Sequence, residues 1–122
     1  MKKRADALFR WLTWMSVIAL AVLSWTPGSH MVRTGIGGHL EHALEHAAAY
    51  LLASAVATLG YGRARSCAQI GALYCAYAGL LELGQVVVPG RHARFDDFSA
   101  SAIGALLGVW MIWLWSTYGR RS

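Results

Sequence analysis

The chain has 122 residues, 57% of them hydrophobic and only 14% charged, with a net charge of +5. Soluble domains carry roughly 25% charged residues, so this deficit argues against one and points to a lipid environment. The length leaves no room for a separate soluble domain, and the basic residues fall in short clusters between apolar runs, a membrane-topology pattern and not a nucleic-acid-binding one.

A bilayer-crossing helix needs about 20 mostly apolar residues. The first candidate covers about residues 8–25, after the basic start MKKR. It resembles a signal peptide, but the apolar run is long and WTPGS is a poor small-residue cleavage site, so a retained span is expected. The second covers about 40–60 and contains LEHALEHAAAY. The third covers about 67–88, and the fourth about 98–118. The connections PGSHMVRTGIGG, YGRARS and PGRHARFDD carry the Gly, Pro and basic residues of loops. Cys67 and Cys75 are eight residues apart on the third run, about 12 Å along a helix, so two free thiols are expected. The expectation is a single all-α domain over residues 1–122, an integral membrane four-helix bundle.

Lys and Arg in short loops set orientation. With the N-terminus inside, the cytoplasmic side holds Lys2, Lys3, Arg4, Arg10, Arg63, Arg65, Arg120 and Arg121, and the other side only Arg33, Arg91 and Arg94. Both termini are therefore expected in the cytoplasm, in a multi-pass protein of a cytoplasmic membrane. Glu41, Glu45, Glu82, Asp96 and Asp97 gather at the outer ends of the spans.

Helical periodicity brings these groups to common faces. His39, His42, His46 and Tyr50 fall within about 80° on the second helix. Tyr74, Glu82 and Gln85 share a face of the third, and Asp97, Ser101, Gly104 and Gly108 one stripe of the fourth. Glu82 is expected about 10 Å below the outer end of its helix, where an ionisable group needs a partner, and Arg91 just beyond the turn is the natural one. Plainer roles exist for each: Glu82 as an interhelical anchor, the small residues as a close-packing face, Arg94 with Asp96 as a solvated pair. His39 and His42 would be unremarkable at an interface.

HALEH, residues 42–46, fits the HxxEH pattern, in which two histidines four apart on a helix share a metal. Glu82 is the third ligand that such a site suggests. The motif is short and the chain lacks a large catalytic cleft, so neither a metal nor a cofactor is expected.

Over about residues 39–110 the chain resembles the VanZ-like family of small multi-span bacterial membrane proteins. The resemblance rests on Glu45-His46 with Tyr50, on Glu82-x-x-Gln85 before Pro89-Gly90-Arg91, and on Asp97, Ser101 and Gly104 with Gly108 beyond. Ser101 stands where the family pattern has Asn, and a Lys common before the His is missing. The resemblance implies a bacterial inner-membrane location and a cell-envelope role, and the founding member is associated with teicoplanin resistance.

The leading expectation is an outward-facing polar pocket between the second, third and fourth helices, formed by His46, Tyr50, Glu82, Gln85, Arg91, Asp97 and Ser101. It would bind or modify a lipid head group or wall precursor, with Arg91 taking a phosphate or carboxylate. One alternative is a membrane enzyme using His46 with Glu82 or Asp97 as acid and base. Another is a structural subunit, because four short helices suit a homo-oligomer or a membrane partner and the Gly104-Gly108 spacing could serve it. No nucleic-acid partner is expected.

Overall fold

The computed structural model describes residues 1–25, 38–90 and 94–119, with backbone alone for 38–41. Every regular element among them is helical: α1 (Lys2–Trp25), α2 (Gly38–Tyr61), α3 (Cys67–Gly84) continued by a 3-10 turn (Gln85–Val87), and α4 (Phe95–Tyr118). All four helices are long and apolar enough to cross a membrane. Exposed Trp11, Trp14, Ile18 and Val22 on α1 and Trp110, Met111 and Trp113 on α4 turn outward, where lipid replaces a protein core. Cys67 and Cys75 are free thiols.

Local chemistry explains several boundaries. Ser66 caps α3 with a capping box: its hydroxyl accepts from the Gln69 backbone N–H, while the Gln69 side chain accepts from the Ser66 N–H. At the far end, three consecutive valines lead into Pro89, and both β-branching and a following proline disfavour continued α-helix. The helix tightens to 3-10 geometry at Gln85, and Gly90 completes the turn at a φ of 74°, a left-handed conformation that suits glycine. Glu82 therefore lies in the last turn of α3, nearer its end than an α-helix running to residue 88 would place it.

Alternating chain direction makes α2 and α4 parallel, and these two pack most extensively. The contact depends on glycine. A Cβ at Gly104 would overlap the Ala47 carbonyl, and one at Gly108 would overlap the Ser54 hydroxyl and the Leu51 carbonyl. The missing side chains let the two backbones meet, as small residues do in membrane bundles. Gly104 and Gly108 are thus buried inside the bundle against α2. The rest of the core is light, with Tyr50, Ala53 and Ala57 of α2 against Ile70, Tyr74, Ala78 and Leu81 of α3 and Ala105 and Val109 of α4.

Helix α1 leans on α2 and α3. At the end where the chain starts, Arg10 Nε donates to the Gly60 carbonyl at 3.0 Å, and Trp14 Nε1 donates to the Tyr61 hydroxyl at 2.8 Å. At mid-depth, the Tyr77 hydroxyl donates to the Val17 carbonyl. At the opposite end, Trp25 Nε1 donates to the Leu81 carbonyl at 3.1 Å, with its indole over Gly84.

Candidate functional site

Among the described residues, the end of the bundle where α1 and α3 finish and α2 and α4 begin gathers the histidines and every carboxylate but Asp6. It is organised by the parallel α2–α4 seam, because one register pairs several residues in turn. His46 Nδ1 lies 3.2 Å from Ser101 Oγ, at a sequence offset of 55. One turn nearer the helix starts, at the same offset, His42 Nε2 faces Asp97 Oδ2 at 3.8 Å. The other nitrogen of His42, Nδ1, faces Glu45 Oε2 at 3.9 Å. The two imidazoles meet edge to face with centroids 4.9 Å apart. Asp97 is only 4% exposed, whereas the histidines are half-buried. His42, His46 and Asp97 each offer a ligand atom, and these atoms lie within 4.8 Å of one another.

Beside this cluster is a cavity of about 200 Å³, lined by Leu20, Leu23 and Ser24 of α1 and by His42, Glu45, His46 and Ala49 of α2. Its composition is mixed: α1 supplies two leucines and a serine, and α2 two imidazoles, a carboxylate and an alanine.

Glu82 has a different neighbourhood. Its Oε1 accepts a 2.7 Å hydrogen bond from the backbone N–H of Arg94, the residue that caps α4 without a side-chain cap of its own. A carboxylate at the first turn of a helix is stabilised by the exposed amides and the positive end of the helix dipole. Glu82 thus joins the end of α3 to the start of α4, as an anchor does, and it is 8% exposed. It also lies close enough to Tyr50 for the two to interact electrostatically. Tyr50 stacks edge to face on Tyr74 at 6.5 Å, and the Tyr74 hydroxyl donates to the Ala53 carbonyl at 3.2 Å. Gln85 is 2% exposed, and its Nε2 has no hydrogen-bond partner among the described residues. Arg94 pairs with exposed Asp96 at 3.3 Å, a solvated pair of little energetic weight.

The residues singled out from sequence therefore divide. His46, Asp97 and Ser101 come together with His42 on the α2–α4 seam. Glu82, Gln85 and Tyr50 are buried around the α3 side of the same end. Arg91 lies outside the described residues, as do Arg33, Arg120 and Arg121, and the His39 side chain is also outside them. The carboxylate grouped with the two HxxEH histidines is Asp97, while Glu82 holds the α4 backbone. His42, Glu45 and the α1 wall were not among the expected site residues. The four-residue spacing in HALEH was the signal for His42, but nothing in the pattern of α1 marked Leu20, Leu23 and Ser24 as a groove.

Four apolar helices with an ionisable cluster at one end define a small multi-pass membrane protein. The VanZ/LLP1 family model matches residues 11–116, so it takes in all four helices and most of the chain. The chain belongs to that family. The comparisons with curated proteins and with solved structures found no match.

Proposed function

We propose that this protein binds the polar head of a cell-envelope amphiphile, a lipid head group or a membrane-anchored wall precursor, in the groove between α1 and α2. The observation that carries the reading is the groove's mixed lining. Leu20, Leu23 and Ala49 suit an alkyl chain, while Ser24, His42, Glu45 and His46 offer hydrogen bonds to a head group. The distribution of Lys and Arg supports an outward-facing groove at the surface of a bacterial cytoplasmic membrane. In this reading Tyr50, Glu82, Gln85, Asp97 and Ser101 support the site from behind, and Arg91, one residue past Gly90 in the sequence, supplies the charge for an anionic head group. A wall precursor as ligand would connect the chain to glycopeptide resistance of the teicoplanin type.

Native mass spectrometry of the protein released from mild detergent tests the reading. Wild type is expected to carry a co-purifying amphiphile. Leu23→Trp, which fills the groove from an exposed position, should reduce the adduct at least about tenfold, as should Arg91→Ala. A wild-type protein that is folded and bare, or a Leu23→Trp protein as loaded as wild type, overturns it.

A further inference from the structure

We infer that His42, His46 and Asp97 form a binding site for a divalent transition-metal ion, best suited to zinc. The sequence alone led to the expectation of no metal, and the geometry of the cluster argues otherwise.

Three observations converge. The first is spacing. The 3.8 Å between His42 Nε2 and Asp97 Oδ2 is too long for a direct hydrogen bond. Two ligand atoms at about 2.0–2.1 Å from one tetrahedral zinc stand about 3.4 Å apart, so a small side-chain adjustment brings the three donors within reach of one ion. The second is the ligand set. Two imidazoles at i and i+4 on one helix with one carboxylate match the three-ligand zinc sites that keep a fourth position open, and imidazole selects transition metals over magnesium or calcium. Here the cavity beside His42 and His46 provides room for a water or an oxygen ligand.

The third observation is the surrounding shell. Metal-bound histidines are held by hydrogen bonds to their other nitrogen, which fix tautomer and ring direction. His42 turns Nε2 toward Asp97 and Nδ1 toward Glu45, whose carboxylate at 3.9 Å stands on the side where such a partner belongs, although beyond hydrogen-bond distance. Ser101 approaches His46 Nδ1 and steadies that ring. Asp97 is buried in a membrane-spanning bundle, where a carboxylate is expected to have a strong partner. A metal would provide one, and this inference does not depend on the groove holding an amphiphile.

The test uses full-length protein purified in detergent with a tag free of histidine, stripped with a chelator and reloaded with zinc or cobalt. Wild type should bind one equivalent of zinc per chain, and cobalt should give the visible absorption of a low-symmetry site with four or five ligands. His42→Ala and His46→Ala should each weaken zinc binding at least a hundredfold. Glu45→Gln, which alters only the outer shell, should weaken it about tenfold to a hundredfold. Asp97 is buried, so a change there tests folding as well as binding; helix content by circular dichroism accompanies each variant, and the two half-buried histidines carry the decision. Folded wild type without a bound equivalent, or histidine variants that bind as wild type does, overturns the site. Amphiphile retention in the stripped protein separates this outcome from failure of the binding reading.

Discussion

At the end where the chain begins, Arg10 reaches the Gly60 carbonyl and lies 5.0 Å from the Tyr61 ring centroid, Trp14 donates to Tyr61, and Ser66 and Gln69 cap each other. Each of these contacts joins a donor directly to an acceptor or a cation to a ring. At the opposite end the groups are mostly titratable, and the closest approaches of His42 to Asp97 and to Glu45 are 3.8 and 3.9 Å. The same four helices build both ends. The difference teaches that one end uses its polar groups to close the bundle, whereas the other keeps several of them at distances that suit a third participant.

The largest effect should come from breaking what the two ends share. Gly108→Leu forces a side chain into the Leu51 carbonyl and the Ser54 hydroxyl. Overpacking alone costs about 1–3 kcal/mol, and a collision with backbone should exceed that. Little folded protein is expected in detergent, and a melting temperature equal to wild type would show that the α2–α4 seam is misplaced. A smaller loss, about 1–2 kcal/mol, is expected from Glu82→Ala, which removes the acceptor of the Arg94 N–H at a partly buried helix start. Glu82→Gln retains an acceptor and should recover most of that loss in thermal unfolding. Equal melting points for the two variants would mean that the charge, and not the hydrogen bond, carries the anchor.

The smallest of the three should be Arg10→Ala at the closed end, about 1 kcal/mol for the lost hydrogen bond and ring contact. Its value lies in the contrast. Unfolding should shift while the retained amphiphile and bound metal stay at wild-type levels, and a parallel loss of either would break the separation between the ends.

Much of this could be read from residue order, for identifiable reasons. Span lengths and polar faces follow from composition and the helical period, so His46, Asp97, Ser101, Gly104 and Gly108 stood out before any contact was known. The period does not say which helices are neighbours or in what register. The pairing of His42 with Asp97 depends on α2 and α4 lying parallel in glycine-mediated contact. Leu20 and Leu23 look the same on a lipid-facing helix as on a groove wall, so the α1 side of the cavity was invisible. For Glu82 the sequence leaves both a pocket residue and an interhelical anchor open, because the Arg94 amide it holds belongs to the turn geometry after Pro89.

The glycine contact also works as a ruler. With the α2 and α4 main chains held together at Gly104 and Gly108, the gap between the helices one or two turns away is narrow, and only side chains of the right reach can work across it. Asp97 and Ser101 are short, while the imidazoles opposite them are long, so the meeting points fall on the α4 side of the gap, nearer the buried carboxylate than the groove. Lengthening either α4 residue by a single methylene, as in Asp97→Glu, would carry its oxygen past the imidazole it now faces. Chemistry at this end is therefore tied to side-chain length as strictly as to side-chain type.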